Sequence, residues 1–134
     1  MKYITIVYNK EEENRMTDQT SQKLLQVVLD ACEDKLAQEV VALDVANLTP
    51  VAEYFVITHG KNEKQVQAIV DAVEEAVEKE GFEVRSIEGK DGGKWILMDL
   101  NDVIVHVFYY ADREFYNLEK LWSDAPIVNI VSEN

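Results

Sequence analysis

The chain has 134 residues, enough for one domain, and its 47% hydrophobic content with five glycines and two prolines reads as a folded globule. Its 26 acidic against 13 basic residues leave a formal net charge of −13. Such a field repels phosphate backbones, so little direct nucleic-acid contact is expected, and it favours a basic protein partner.

No apolar run has the length that spans a bilayer, so no membrane partner is expected. Cys32 is the only cysteine, which excludes an internal disulfide and suits the cytoplasm. It falls within a helical pattern, where a buried, inert thiol is the natural reading. His59 and His106 lie far apart without further Cys or His at ligand spacing, so neither a metal site nor a cofactor is expected.

In chain order, residues 1–16 form an N-terminal extension that lacks the features of a secretion signal. It reads as an added strand, a tail, or a start-site artefact with Met16 as initiator. The domain proper is expected over 17–125, with 126–134 as a C-terminal tail. From Ser21 to about Gln38, Leu25, Val28, Leu29, Cys32 and Leu36 recur at helical spacing, with Thr20 or Ser21 as cap. Val40–Val45 and Tyr54–Thr58 read as strands. Asn62 opens the clearest helix, striped by Val66, Ile69, Val70, Val73 and Val77 and ended by Gly81.

Phe82–Ile87 alternates as a third strand, and the strand–helix–strand spacing predicts a right-handed crossover between parallel strands. Trp95–Leu100 and Val103–Phe108 follow, joined by a tight turn at Asn101–Asp102. A last helix is expected over about Asp112–Trp122, capped by Asp112. The sum is a single α/β domain: a mixed five-stranded sheet with about three helices, and a possible sixth strand from the extension.

Catalytic readings are weak. Metal-dependent nucleotidyl transfer needs paired carboxylates on one strand face, yet Asp99 is followed two positions later by Asn101, and Thr58-His59-Gly60 lacks the accompanying Gly-Ser turn. Gly60 before the helix could cradle an anion, although a plain strand-to-helix turn needs the same residue. His106, in VIVHVF, reads as a structural histidine.

The richer signal is aromatic. Between Lys94 and Trp122 stand both tryptophans with Phe108, Tyr109, Tyr110, Phe115 and Tyr116. Trp95, Leu97, Asp99 and Asn101 share one strand face, and Ile96, Met98 and Leu100 the other, so one face can meet helices while the other meets a partner. On the last helix Arg113 and Tyr116 fall beside the apolar stripe, where they are available for surface contact. Each of these residues also has a bland reading, Trp95 as core and Arg113 or Tyr116 as a solvated helix face.

The blocks VVALDV, EYFVITHGKNEKQVQAI, WILMDLNDVIVHVF and REFYNLEKLW, in this order from about Leu24 to Trp122, resemble the ribosomal silencing factor family, also called RsfS or Iojap-like. The resemblance implies a fold similar to nucleotidyltransferases without their catalytic carboxylates, and so no enzyme. It implies binding to the large ribosomal subunit through the universal large-subunit protein fourteen, blocking the small subunit and repressing translation. Carried over by motif, Trp95, Asp99, Leu100, Asp102 and Val103 with Arg113 and Tyr116 would form or support the binding face. His106 and Glu119 match family positions and are expected to be mainly structural, and the protein is expected to be a monomer or weak homodimer. Glu53 departs from the family's usual Asp, and the residues before Met16 lie outside its pattern. A nucleotide-binding or nucleotidyltransferase-like enzyme, or an adaptor for another basic protein, are the alternative readings.

Overall fold

A computed structural model describes residues 18–92 and 94–128, so the reading of residues 1–16 lies outside the described part. Helix α1 (Asp18–Asp34) starts earlier and stops sooner than its periodicity predicts. Leu25, Val28, Leu29 and Cys32 are buried along it, but Leu36 leaves the stripe. It takes a left-handed φ of 59° and is 75% exposed, turning the chain toward β1. Ser21 does not cap the helix. It is buried, and its hydroxyl donates to the Asp102 carboxylate at 3.1 Å.

Strand β1 (Gln38–Asp44) carries a bulge between Gln38 and Val41, where Glu39 adopts φ 46°. Strand β2 (Tyr54–Gly60) is buried along its whole length, as a central strand covered on both faces must be. Helix α2 (Glu63–Lys79) follows the sequence closely. The Asn62 side chain accepts from the Gln65 amide at 2.8 Å, satisfying one of the free N–H groups of the first turn. Val66, Ile69, Val70, Val73 and Val77 are its buried stripe, each contributing about 1.5–3 kcal/mol of apolar burial. Gly81, at φ 88°, ends it, and the Phe82 amide reaches back to the Val77 carbonyl at 3.0 Å.

The next strand differs from expectation. Residues 82–85 are not part of a strand, and β3 is only Ser86–Glu88. The reason is the length of its partner. Strand β4 (Trp95–Asp99) pairs antiparallel with β3 and ends opposite Ser86, with the Asp99 carbonyl taking the Arg85 amide at 2.8 Å. Upstream of Arg85 no β4 residue remains to pair with.

Strand β5 (Val103–Tyr109) completes the hairpin through a turn at Asn101, φ 76°, closed by the Leu100 amide on the Val103 carbonyl at 2.9 Å.

The last helix is also divided. Helix α3 (Tyr110–Tyr116) begins two residues before the expected Asp112, with Tyr109 at its N-cap and no side-chain cap bond. Asn117 then breaks it in the left-handed region, φ 48° and ψ 53°, and a single turn, α4 (Leu118–Leu121), follows. Ile127–Val128 forms β6.

The sheet is mixed, as expected, but among the described residues has six strands, in the order β3-β4-β5-β2-β1-β6. The sixth comes from the C-terminal side, pairing antiparallel with β1. The parallel partner of β2 is β5 rather than β3, so the predicted crossover reaches over β4 and β5 to the sheet edge. Helices α1 and α2 cover one face, over Ala42, Val56, Ile96, Met98 and Val105. On the opposite face a second core gathers Leu43, Phe55, Ile57, Ile104 and Phe108 beneath Leu118 and Ala125.

Candidate interaction face on the sheet

Register fixes this second face as three cross-strand rows. One row runs Trp95, Phe108, His59, Gln38; the next Leu97, His106, Ile57, Val41; the third Asp99, Ile104, Phe55, Leu43, continued by Ile127 on β6. Pleating forces these side chains to one side, since alternate residues of each strand go to the helix-covered core.

Tyr116, last residue of α3, lies over the Trp95 end. The two rings are 4.6 Å apart between centroids, and Trp95 also stacks on Phe108 at 5.2 Å and 27°. Trp122, beyond α4, stands edge-on to Phe55 at 5.0 Å and 85°. Edge-to-face and offset pairs of this kind add about 0.5–1.5 kcal/mol each beyond area burial. The cover is incomplete: Trp95, Leu97 and Trp122 are half-buried, Tyr116 is 43% exposed, and Leu121 and Ile127 are exposed. The result is an aromatic face with exposed Leu121 and Ile127 beside it.

Two histidines lie beneath it. Trp95 Nε1 donates to His106 Nδ1 at 3.2 Å, and an indole can only donate, so the imidazole proton sits on Nε2. Burial holds the His106 pKa down to about 4, and its Nε2 has no hydrogen-bond partner. His59 Nδ1 lies 2.9 Å from Arg113 Nη1, and as a guanidinium also only donates, this nitrogen accepts. Burial first, then the Arg113 charge, lowers the His59 pKa.

Arg113 is not on the open helix side where the stripe pattern puts it. It is 7% exposed, with Nε and Nη2 both on Glu119 Oε2, at 3.1 and 2.5 Å. The break at Asn117 turns Arg113 and Glu119 toward each other and toward the end of β2.

The hairpin residues divide by face. Trp95 joins Tyr116 on the aromatic face. Asp99 is half-buried and accepts from the Asn101 amide at 2.9 Å, ordering the turn. Asp102 is exposed, and its carbonyl takes the Glu53 and Tyr54 amides at 2.8 and 3.1 Å. Leu100 and Val103 are buried in the helix-side core, so they support the hairpin from behind. Phe55, His59 and Trp122 belong to this site, although sequence reasoning did not place them there. Only the β2–β5 register would have found the first two.

The other candidate chemistries find little support in the geometry. Gly60 is needed by packing: a Cβ there would meet the Val66 amide nitrogen at 2.9 Å. The neighbouring N–H groups are already taken, Lys61 by Gln65 Oε1 and Gln65 by Asn62. Among the described residues, no three His, Cys, Asp or Glu side chains are grouped to hold a metal ion. No described helix is long and apolar enough to cross a membrane.

Fold and face together define a small α/β domain whose mixed sheet is covered by helices on one side and presents a half-covered aromatic surface on the other. The family model described as "Ribosomal silencing factor during starvation" matches residues 18–134. A ribosomal silencing factor RsfS from Halalkalibacterium halodurans is 45% identical over 111 residues, 83% of this chain and 95% of the relative. One from Bacillus subtilis is 45% identical over 107 residues, 80% of this chain and 91% of the relative. A crystal structure from Bacillus halodurans superposes with a TM-score of 0.72 at 44% identity, covering 80% of this chain and 97% of the other. The chain belongs to the ribosomal silencing factor family, RsfS or Iojap-like.

Proposed function

We propose that this protein represses translation by binding the large ribosomal subunit in the cytoplasm, through the universal large-subunit protein fourteen, and sterically blocking the small subunit. No catalytic step is involved. The observation that carries this reading is the aromatic face: Trp95 on the sheet and Tyr116 and Trp122 above it are only half-covered or exposed, with Leu121 and Ile127 exposed beside them. Aromatic anchors with an apolar surround are what a protein interface concentrates. Trp95 and Tyr116 make the contact, Asp99 and Asp102 form its polar rim at the hairpin tip, and Leu100, Val103 and Arg113 support it from within. The net charge of −13 favours a basic ribosomal protein and a salt-sensitive encounter.

Sedimentation tests this. Purified protein is expected to co-migrate with isolated large subunits at low salt and to reduce their joining to small subunits, and Trp95→Ala to weaken both. Protein that stays at the top of the gradient at low salt sinks the proposal.

A further inference from the structure

The Arg113 side chain is buried and bonded through all three of its guanidinium nitrogens. Its guanidinium joins three separate segments: Glu119 on α4, His59 at the end of β2, and the Gln38 carbonyl at the start of β1, the last at 3.4 Å. Arg113 and Glu119 stand on either side of Asn117, whose amide bonds the Arg113 carbonyl at 2.8 Å while its own backbone is left-handed. Tyr116 is the residue immediately before that break, and its ring lies against Trp95.

We infer that Arg113 is a positioning residue for the interaction face: its buried clamp on Glu119, His59 and Gln38 fixes the Asn117 elbow and so sets Tyr116 over Trp95. This rests on the proposed ribosome-binding reading and specifies how Arg113 supports the face within it, by acting through Tyr116. The physical basis is asymmetry. A left-handed elbow in a seven-residue helix followed by a single turn has little stability of its own. A fork-shaped, permanently charged side chain that bonds across the elbow and down to two strands supplies the missing constraint. Lysine reproduces the charge but not the fork, and glutamine at 119 keeps the shape but not the charge.

The test is a double-mutant cycle on the full chain. Glu119→Gln and Arg113→Lys are each made with Tyr116 present and with Tyr116→Ala, and binding to purified large subunits is measured beside the melting temperature. Glu119 is partly exposed, so Glu119→Gln is expected to stay folded.

Each substitution is expected to weaken binding about tenfold when Tyr116 is present and less than about twofold when it is absent, as coupled residues behave. Equal losses in both backgrounds, or no loss in a folded variant, overturn the inference. Nuclear Overhauser contacts between the Tyr116 and Trp95 rings give a second readout that needs no ribosome. Their loss in both variants supports the clamp, and their retention refutes it. If the unmodified protein does not bind large subunits, the functional proposal falls while these contacts still decide the positioning role.

Discussion

Trp95 and His106 are diagonal neighbours across the β4–β5 hairpin, and the indole N–H of the first holds the imidazole of the second in one neutral tautomer. Protonating Nδ1 would set two donors against each other inside the sheet. The His106 pKa is accordingly lowered, by burial, to about 4. An unfolded chain binds this proton near the usual 6.5, so on acidification it takes up a proton that the folded chain refuses.

The stabilising contribution is therefore full above that value, falls as the pH drops toward 4, and changes no further below it. His59 is shifted in the same direction. Urea unfolding at about pH 7 and pH 5 is expected to show the native chain losing about 2 kcal/mol more than a His106→Gln variant. Equal losses would mean that the folded chain takes up this proton as readily as the unfolded one.

Two left-handed glycines among the described residues make a sharper contrast. At Gly89, φ 91°, an added Cβ would lie 2.2 Å from the Trp95 carbonyl oxygen, so the loop entering the hairpin must move. At Gly81, φ 88°, a Cβ meets nothing within 4 Å. Gly81→Ala is expected to cost about 1 kcal/mol, from backbone conformation alone, and Gly89→Ala about 3 kcal/mol or more. Denaturant midpoints of the two variants check the order, and a reversed order would contradict the tight approach of Gly89 to Trp95.

Asn62 accepts the Gln65 amide at the start of α2, so its loss strands a donor. Asn62→Ala is expected to lower stability by about 1 kcal/mol, whereas Asn62→Asp or Asn62→Ser stays close to the native value. Chemical denaturation of the three variants distinguishes capping from a general effect of substitution.

Cys32 is fully buried on α1, and burial pushes its thiol up to about 12. Alkylation of the native protein at mildly alkaline pH is expected to proceed only as fast as the chain unfolds, because the thiolate is the reactive form. Labelling within minutes, far ahead of unfolding followed by circular dichroism, would show that the α1 interior opens locally.

Helix α2 was fully legible in the sequence because every signal that defines it is local: Asn62 before it, the valine and isoleucine stripe along it, and Gly81 after it. The face division of the hairpin was legible too, since alternation alone sends Ile96 and Met98 one way and Trp95 and Leu97 the other. What alternation cannot carry is the choice of neighbour. Phe82 and Val84 alternate as well as any strand, but β4 has no backbone left to pair with them.

The parallel match of β2 with β5 depends on contacts nearly fifty positions apart along the chain. Arg113 escaped for the same reason. A charge on a helix reads as solvent-facing unless its partners are known, and two of them lie 54 and 75 residues away.

The pairing of β6 with β1 brings Val128 beside Ala42 and Ile127 beside Leu43. Ribosomes deliver the chain from one end, so β1 must wait through the synthesis of nearly everything between before its outer edge is covered. Closing a loop of that length adds an entropic barrier that local contacts do not relieve. Until Trp122 and Ala125 emerge, the apolar row formed by Leu43, Phe55 and Ile104 is exposed on a nascent sheet. A chain stalled before that point would display a greasy surface that chaperones recognise, so premature termination in the last dozen described residues should yield aggregation rather than a weakened but soluble product.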